Sequence, residues 1–172
     1  MSAEGAQKTS RFIRLCDTFR IPIVSLVDEP GFLIGPDAER AGTILHGTEA
    51  VLATTESKVP WSTIMIRKSF GVAAAAHYGP DGYVLAWPSA ESGPLPLEGG
   101  VAVAFKKEIA SAKNPEAKRK ELEEKMAKNQ SPFPRAEAFS VHEIIDPRET
   151  RKYIALWAER IQSQLKASLM NR

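Results

Sequence analysis

The sequence predicts an α/β layered fold, and three observations carry that prediction. Runs at 21–28, 62–66 and 83–87 are short, apolar and rich in β-formers, as strands are. Stretches at 9–20, from Asp37 onward and at 71–77 show helical spacing or helix-forming composition instead. The β-α-β-α-β alternation that results suits neighbouring strands joined by right-handed crossovers.

The first helix, 9–20, places Phe12, Leu15, Cys16 and Phe19 on one face. Ile21 to Asp28 follows, and its near-continuous apolar character suits a strand buried on both faces. Glu29-Pro30-Gly31-Phe32 punctuates the backbone and ends it. From Asp37 a second helix is expected, with Ala41, Ile44, Leu45, Thr48, Val51 and Leu52 at helical intervals. Ser62–Ile66 is the next strand, Gly71–His77 a short Ala-rich helix and Tyr83–Trp87 the third strand. Glu91–Gly100, with two prolines and three glycines, reads as a loop feeding a helix from about Gly100 to Ser111. Residues 113–130 are charge-dense, either a docking arm or, the reading favoured, a solvated helix with pairs such as Glu121–Lys125 and Glu124–Lys128. Asp146-Pro147-Arg148-Glu149 has the residue order of a helix start, with Asp as cap and Pro at the first position. The helix from about 146 to 170 is expected to bury Ile154, Trp157, Ile161 and Leu165.

The 172 residues fit a single domain, 1–172, large enough to bury a core. A net charge of +2 is too small to point to nucleic acid. No apolar run approaches the ~20 residues of a membrane span. A lone cysteine, Cys16, excludes an internal disulfide and favours a reducing compartment, so a cytoplasmic location is expected.

There is no Gly-x-Ser-x-Gly elbow, no phosphate-binding loop and no His-Glu-x-x-His. His46, His77 and His142 lie far apart, without metal-ligand spacing, and read as hydrogen-bonded structural histidines. Cys16, on an apolar helix face, reads as a small buried thiol. Asp28-Glu29 is either an acid/base pair or part of a turn. What remains is a backbone device. Ile64 to Ala76 runs from a strand through a tight turn into a helix of tiny residues. The first N–H groups of a helix lack intrahelical partners and carry partial positive charge, so such a turn can hold an oxyanion. The pattern alone is weak, because Ala-rich helices are also simply good helices.

Several blocks then occur in a fixed order. They are Arg11-Phe12-Ile13-Arg14-Leu15-Cys16-Asp17-Thr18-Phe19, Ile21-Pro22, Asp28-x-Pro30-Gly31-Phe32, His46-Gly47 and Arg67-Lys68-Ser69-Phe70-Gly71. Ala86-Trp87-Pro88-Ser89-Ala90-Glu91, Ser131-Pro132-Phe133 and Ile144-Ile145-Asp146-Pro147-Arg148-x-Thr150-Arg151 complete the series. Together they resemble the C-terminal carboxyltransferase domain of biotin-dependent acyl-CoA carboxylases, the propionyl-CoA/methylmalonyl-CoA β-subunit family. The resemblance implies a crotonase-like (ClpP/crotonase) α/β fold in which this chain begins partway. It also implies transfer of a carboxyl group from N-carboxybiotin to the α-carbon of an acyl-CoA. One oxyanion hole, in an N-terminal domain, serves the thioester; a second, in this domain, serves the ureido oxygen of biotin. That second hole maps to Gly71, Val72 and Ala73, with the N–H groups of Val72 and Ala73 as donors and Ala75 at the family's acyl-selective position.

Two departures stand beside it. Val72 replaces a second Gly, and a β-branched residue there restricts the backbone and crowds the approach. Gly93-Pro94-Leu95-Pro96 replaces the family's Ala-Val-Met-Gly. The partners implied are an N-terminal carboxyltransferase half or subunit, a biotin carboxyl carrier protein with its biotin carboxylase, and further copies in an oligomer. Two alternatives stay open on the same fold: a biotin-dependent acyl-CoA decarboxylase component, and a non-catalytic scaffold.

Overall fold

In the computed structural model, which describes residues 1–170, helix α1 (Ala3–Phe19) leads into strand β1 (Ile23–Glu29). Ser2 caps α1, its hydroxyl accepting from the Gly5 N–H. Helices α2 (Pro36–Arg40) and α3 (Thr43–Glu56) follow, then the long strand β2 (Trp61–Phe70) and the five-residue helix α4 (Gly71–Ala75). Strands β3 (Tyr83–Ala86) and β4 (Glu91–Gly93) precede helices α5 (Leu97–Ala104), α6 (Lys106–Ser111), α7 (Pro115–Gln130) and α8 (Pro132–Glu137). Strand β5 (Glu143–Ile144) and a 3-10 turn at Pro147–Glu149 lead into α9 (Thr150–Met170).

All the strand pairings described are parallel, in the order β1-β2-β3-β5. β4 pairs with the far end of β2, Lys68–Phe70, beyond the reach of β3. β2 is therefore the axis of the sheet. Its Ile64 is fully buried and packs with Leu85 of β3 and Ile145, while Trp87, Tyr153 and Ile154 close over that cluster. Burying side chains of this size stabilises by roughly 1.5–3 kcal/mol each. A second cluster joins α1 to the sheet through Ile13, Cys16, Ile23, Ala53, Val59 and Trp61. Cys16 is a buried thiol, as expected, and burial pushes its pKa up. Asp146 caps the 3-10 turn, accepting from the Arg148 N–H at 2.9 Å, and α9 begins after it at Thr150. Trp157 and Ile161 are buried as expected, but Ile154 and Leu165 are only half-buried.

Several expectations need correction. α1 starts at Ala3 rather than at residue 9, and its buried stripe is Ala3, Ala6, Ser10, Ile13 and Cys16. Phe12 (56% exposed), Leu15 and Phe19 face outward. α3 likewise buries Thr43, Gly47, Ala50, Ala53 and Thr54, leaving Ile44, Leu45 and Leu52 exposed. The reason is close approach. Small residues on both helices let α1 pack tightly on α3, and a Cβ on Gly47 would stand 2.4 Å from the Phe32 ring. The helix expected from Asp37 is two, because Gly42 takes φ 71 between α2 and α3. β1 is not buried on both faces: it alternates, with Val24 and Leu26 (55%) exposed. Glu91–Gly100 is not all loop, since it contains β4 and the start of α5, and the helix expected at Gly100–Ser111 divides at Phe105. α7 is the solvated helix favoured from sequence, and its ion pairs run Lys118–Glu121 and Arg119–Glu123.

β1 ends the strand order, so its outer edge is unpaired among the described residues. Phe12, Leu15, Phe19, Ile21, Val24 and Leu26 add exposed apolar surface on α1, β1 and the chain between them. An open edge beside apolar surface favours association. Light scattering of the isolated chain is expected to show concentration-dependent oligomers. A stable monomer at high concentration, binding no apolar dye, contradicts this expectation.

Candidate functional site

The turn after β2 is built from backbone restraints. Phe70, fully buried, is extended, and Gly71 then takes φ +64, a conformation L side chains rarely adopt. α4 starts there and is pinned at its far end. Thr54 donates its hydroxyl to the Ala76 carbonyl at 2.9 Å and Thr63 to the His77 carbonyl at 2.8 Å. Below the turn, the Ser69 and Tyr78 hydroxyls lie 2.7 Å apart, and burial pushes the Tyr78 pKa up. Above it, a Cβ on Gly71 would meet the Pro94 carbonyl oxygen at 3.4 Å.

The four residues singled out from sequence, Gly71, Val72, Ala73 and Ala75, thus share one short helix. The N–H groups of Val72 and Ala73 belong to its first turn, where no carbonyl four residues back is helical. Their surroundings differ: Val72 is 66% exposed, with its side chain toward solvent, whereas Ala73 is 0% exposed. Gly71 and Ala75 are exposed. A ligand oxygen has open access at Val72, while Ala73 lies just beneath the surface.

Asp28 and Glu29 do not act as a pair. They point to opposite faces of β1, one exposed and one buried. Asp28 accepts from Arg67 Nε at 3.1 Å and from the Lys68 N–H at 3.1 Å. These bonds, the Arg67 guanidinium first, hold its carboxyl below the usual range. Arg67 and Asp28 thereby fasten the β1 end to the strand that carries the turn. Burial alone would raise the Glu29 carboxyl, but His77, the Met1 ammonium at 2.8 Å and the Gly31 N–H at 3.1 Å lower it overall. That leaves Glu29 in the turn role.

His46 contacts Gln7 at 2.8 Å and Glu49 at 3.0 Å, and His142 accepts the Val84 N–H at 3.0 Å. His77 Nδ1 lies 3.3 Å from Ser25 Oγ, and its Nε2 lies 3.9 Å from Glu29. His46 and His142 therefore have structural partners, and His77 has one at Nδ1, while its buried Nε2 makes no hydrogen bond. Sequence reasoning missed the pins Thr54 and Thr63, the Pro94 carbonyl, and the buried amide of Gln130, which donates to the Leu95 carbonyl at 2.9 Å. The resemblance had set Gly93-Pro94-Leu95-Pro96 beside this turn, without showing which of its atoms faces Gly71.

Comparison with known proteins bears on family and fold. The carboxyl transferase domain family matches residues 1–171. A propionyl-CoA carboxylase carboxyltransferase subunit from Haloferax mediterranei is 37% identical over 97% of this chain and 33% of its own length. The methylmalonyl-CoA carboxyltransferase 12S subunit of Propionibacterium freudenreichii subsp. shermanii is 39% identical over 90% of this chain and 30% of its own length. A transcarboxylase 12S crystal structure, a hexamer with methylmalonyl-coenzyme A bound, superposes with TM-score 0.85 at 38% identity, covering 95% of this chain and 32% of that one. The chain spans about a third of the length of these relatives. It has their crotonase-like α/β fold, and it belongs to the carboxyl transferase domain family.

Proposed function

We propose that this chain supplies the biotin-facing half of an acyl-CoA carboxyltransferase. The observation that carries the reading is the Gly71 turn, which opens a pinned helix of small residues with Val72 at the surface. The residues present fit biotin's ureido group: a positive-φ glycine turns the strand into the helix, and two first-turn N–H groups follow. Carboxybiotin on a carrier protein supplies the carboxyl group that an acyl-CoA accepts.

The chain's own part is electrostatic. Val72 and Ala73 hold their N–H groups toward the ureido oxygen, where negative charge grows, and Gly71 and Ala75 shape the mouth. Each well-placed donor of this kind is worth about 2.7–4 kcal/mol of barrier. Helix-start polarity acts in the same sense. The Val72 methyl groups stand in solvent at this mouth, where they narrow the approach without displacing the turn. No acid/base side chain is assigned: Asp28, His46 and His142 have structural partners, and His77 is tied to Ser25.

The thioester side belongs to an N-terminal carboxyltransferase half or subunit, and the carboxyl group comes from a biotin carboxyl carrier protein charged by biotin carboxylase. The relatives' names and the hexameric transcarboxylase support that assembly and an oligomeric state. No helix among the described residues is long and apolar enough to cross a membrane, and a cytoplasmic site of action is the reading adopted.

Binding can be tested on the chain itself. Titration with free biotin is expected to shift the amide resonances of Gly71, Val72 and Ala73 more than those elsewhere. Uniform or absent shifts at saturating biotin contradict the assignment.

A further inference from the structure

Helix α7 is charge-dense, and the residues it buries are Leu122 and Gln130. Gln130, its last residue, is 4% exposed, an unusual position for a primary amide at the end of a solvated helix. Its Nε2 donates to the Leu95 carbonyl at 2.9 Å, across 35 residues of chain. The donor end must face that carbonyl, because two oxygens there would repel. Its Oε1 is buried without a hydrogen-bond partner. An orphan acceptor of this kind costs stability, and a leucine or methionine would avoid the cost.

Leu95 lies in the link between β4 and α5, Gly93-Pro94-Leu95-Pro96. The two prolines have no N–H to donate, so the link is poor in hydrogen bonds of its own. Its Pro94 carbonyl oxygen lies 3.4 Å from where a Gly71 Cβ would be. The Gln130 side chain also flanks Gly93, 3.8 Å from where a Cβ there would stand. One short segment thus forms the roof of the Gly71 turn and is held from behind by one amide. It is also the segment where the sequence departs from the family pattern.

We propose that Gln130 is a positioning residue: by clamping the Leu95 carbonyl it sets the height of the 93–96 link above Gly71, and with it the clearance at the Val72 and Ala73 donors. This rests on the oxyanion reading above, and the test separates the two.

Gln130→Leu removes both the clamp and the orphan oxygen, so one lost hydrogen bond is set against one relieved buried acceptor. The isolated Gln130→Leu chain is therefore expected to melt no lower than the parent. The amide resonances of Gly71, Val72 and Ala73 should shift between the parent and Gln130→Leu, because the link above them is no longer held from behind. In the enzyme assembled with its N-terminal half, kcat should fall about 10²-fold, the cost of a misplaced site, with KM for acyl-CoA unchanged. Gln130→Met, which keeps length and burial, should behave alike. If both variants melt lower and lose turnover only in proportion, Gln130 is a packing residue and the proposal fails. Unchanged Gly71, Val72 and Ala73 resonances together with an unchanged kcat also overturn it. Should Gln130→Leu be silent while Ala73→Pro abolishes turnover, only the clamp is wrong; a fully active Ala73→Pro removes the oxyanion reading beneath it.

Discussion

Ala73→Pro is expected to lower biotin-dependent kcat by about 10²–10³, because it removes one donor N–H outright. Val72→Gly should move the other way. It takes two methyl groups from the mouth of the site and leaves the reconstituted enzyme as active as the parent or more so. Its cost is helix-start rigidity, about 1 kcal/mol in a helix interior and less at a first turn. Thermal melting of each variant separates a lost donor from a lost fold. Proline at the third position of a helix meets no intrahelical hydrogen bond, so the α4 turn tolerates it better than an interior position would. The burial of Ala73 adds a second condition. Its N–H contributes only when a ligand oxygen reaches past Val72, so the paired substitutions also report how deep the ligand sits. A folded Ala73→Pro variant with full turnover returns the chain to the scaffold alternative.

Strands β1, β2 and β3 and the turn at Gly71 were legible because their signals are local. Ile64 to Ala76 carries β-formers, then glycine, then alanines, and the structure turns a strand into a helix at Gly71. Asp146-Pro147 marked the 3-10 turn that leads into the C-terminal helix for the same reason. The helix faces were not legible. In α1 and α3 the side chains that pack are Ala6, Ala50 and Ala53, and Gly47 makes room for the Phe32 ring, while Phe12, Leu15, Ile44 and Leu45 stay outside. A reading that weights large apolar residues picks the wrong stripe when close helix approach needs small ones. In the assembly proposed here, the large residues are available to a neighbouring subunit or half.

β4 was hidden for a different reason. A three-residue strand inside a Pro/Gly-rich run exists only because Lys68–Phe70 of β2 extends past β3 to pair with it. Gln130 was hidden in the charge run of α7, since nothing in its neighbours marks it as buried. Asp28 shows the reverse case, a residue with apparent chemistry whose partners are structural.

The central claim is that this chain holds the biotin side of a divided site, and reconstitution tests it most directly. Decarboxylation of malonyl-CoA or methylmalonyl-CoA in the presence of free biotin is measured with the chain alone, the N-terminal carboxyltransferase half alone, and the two mixed. Each part alone should be silent, because each supplies one oxyanion hole, and the mixture should turn over in a biotin-dependent way. Turnover by this chain alone contradicts the division of the site, and a stable mixed complex that stays silent contradicts its catalytic role.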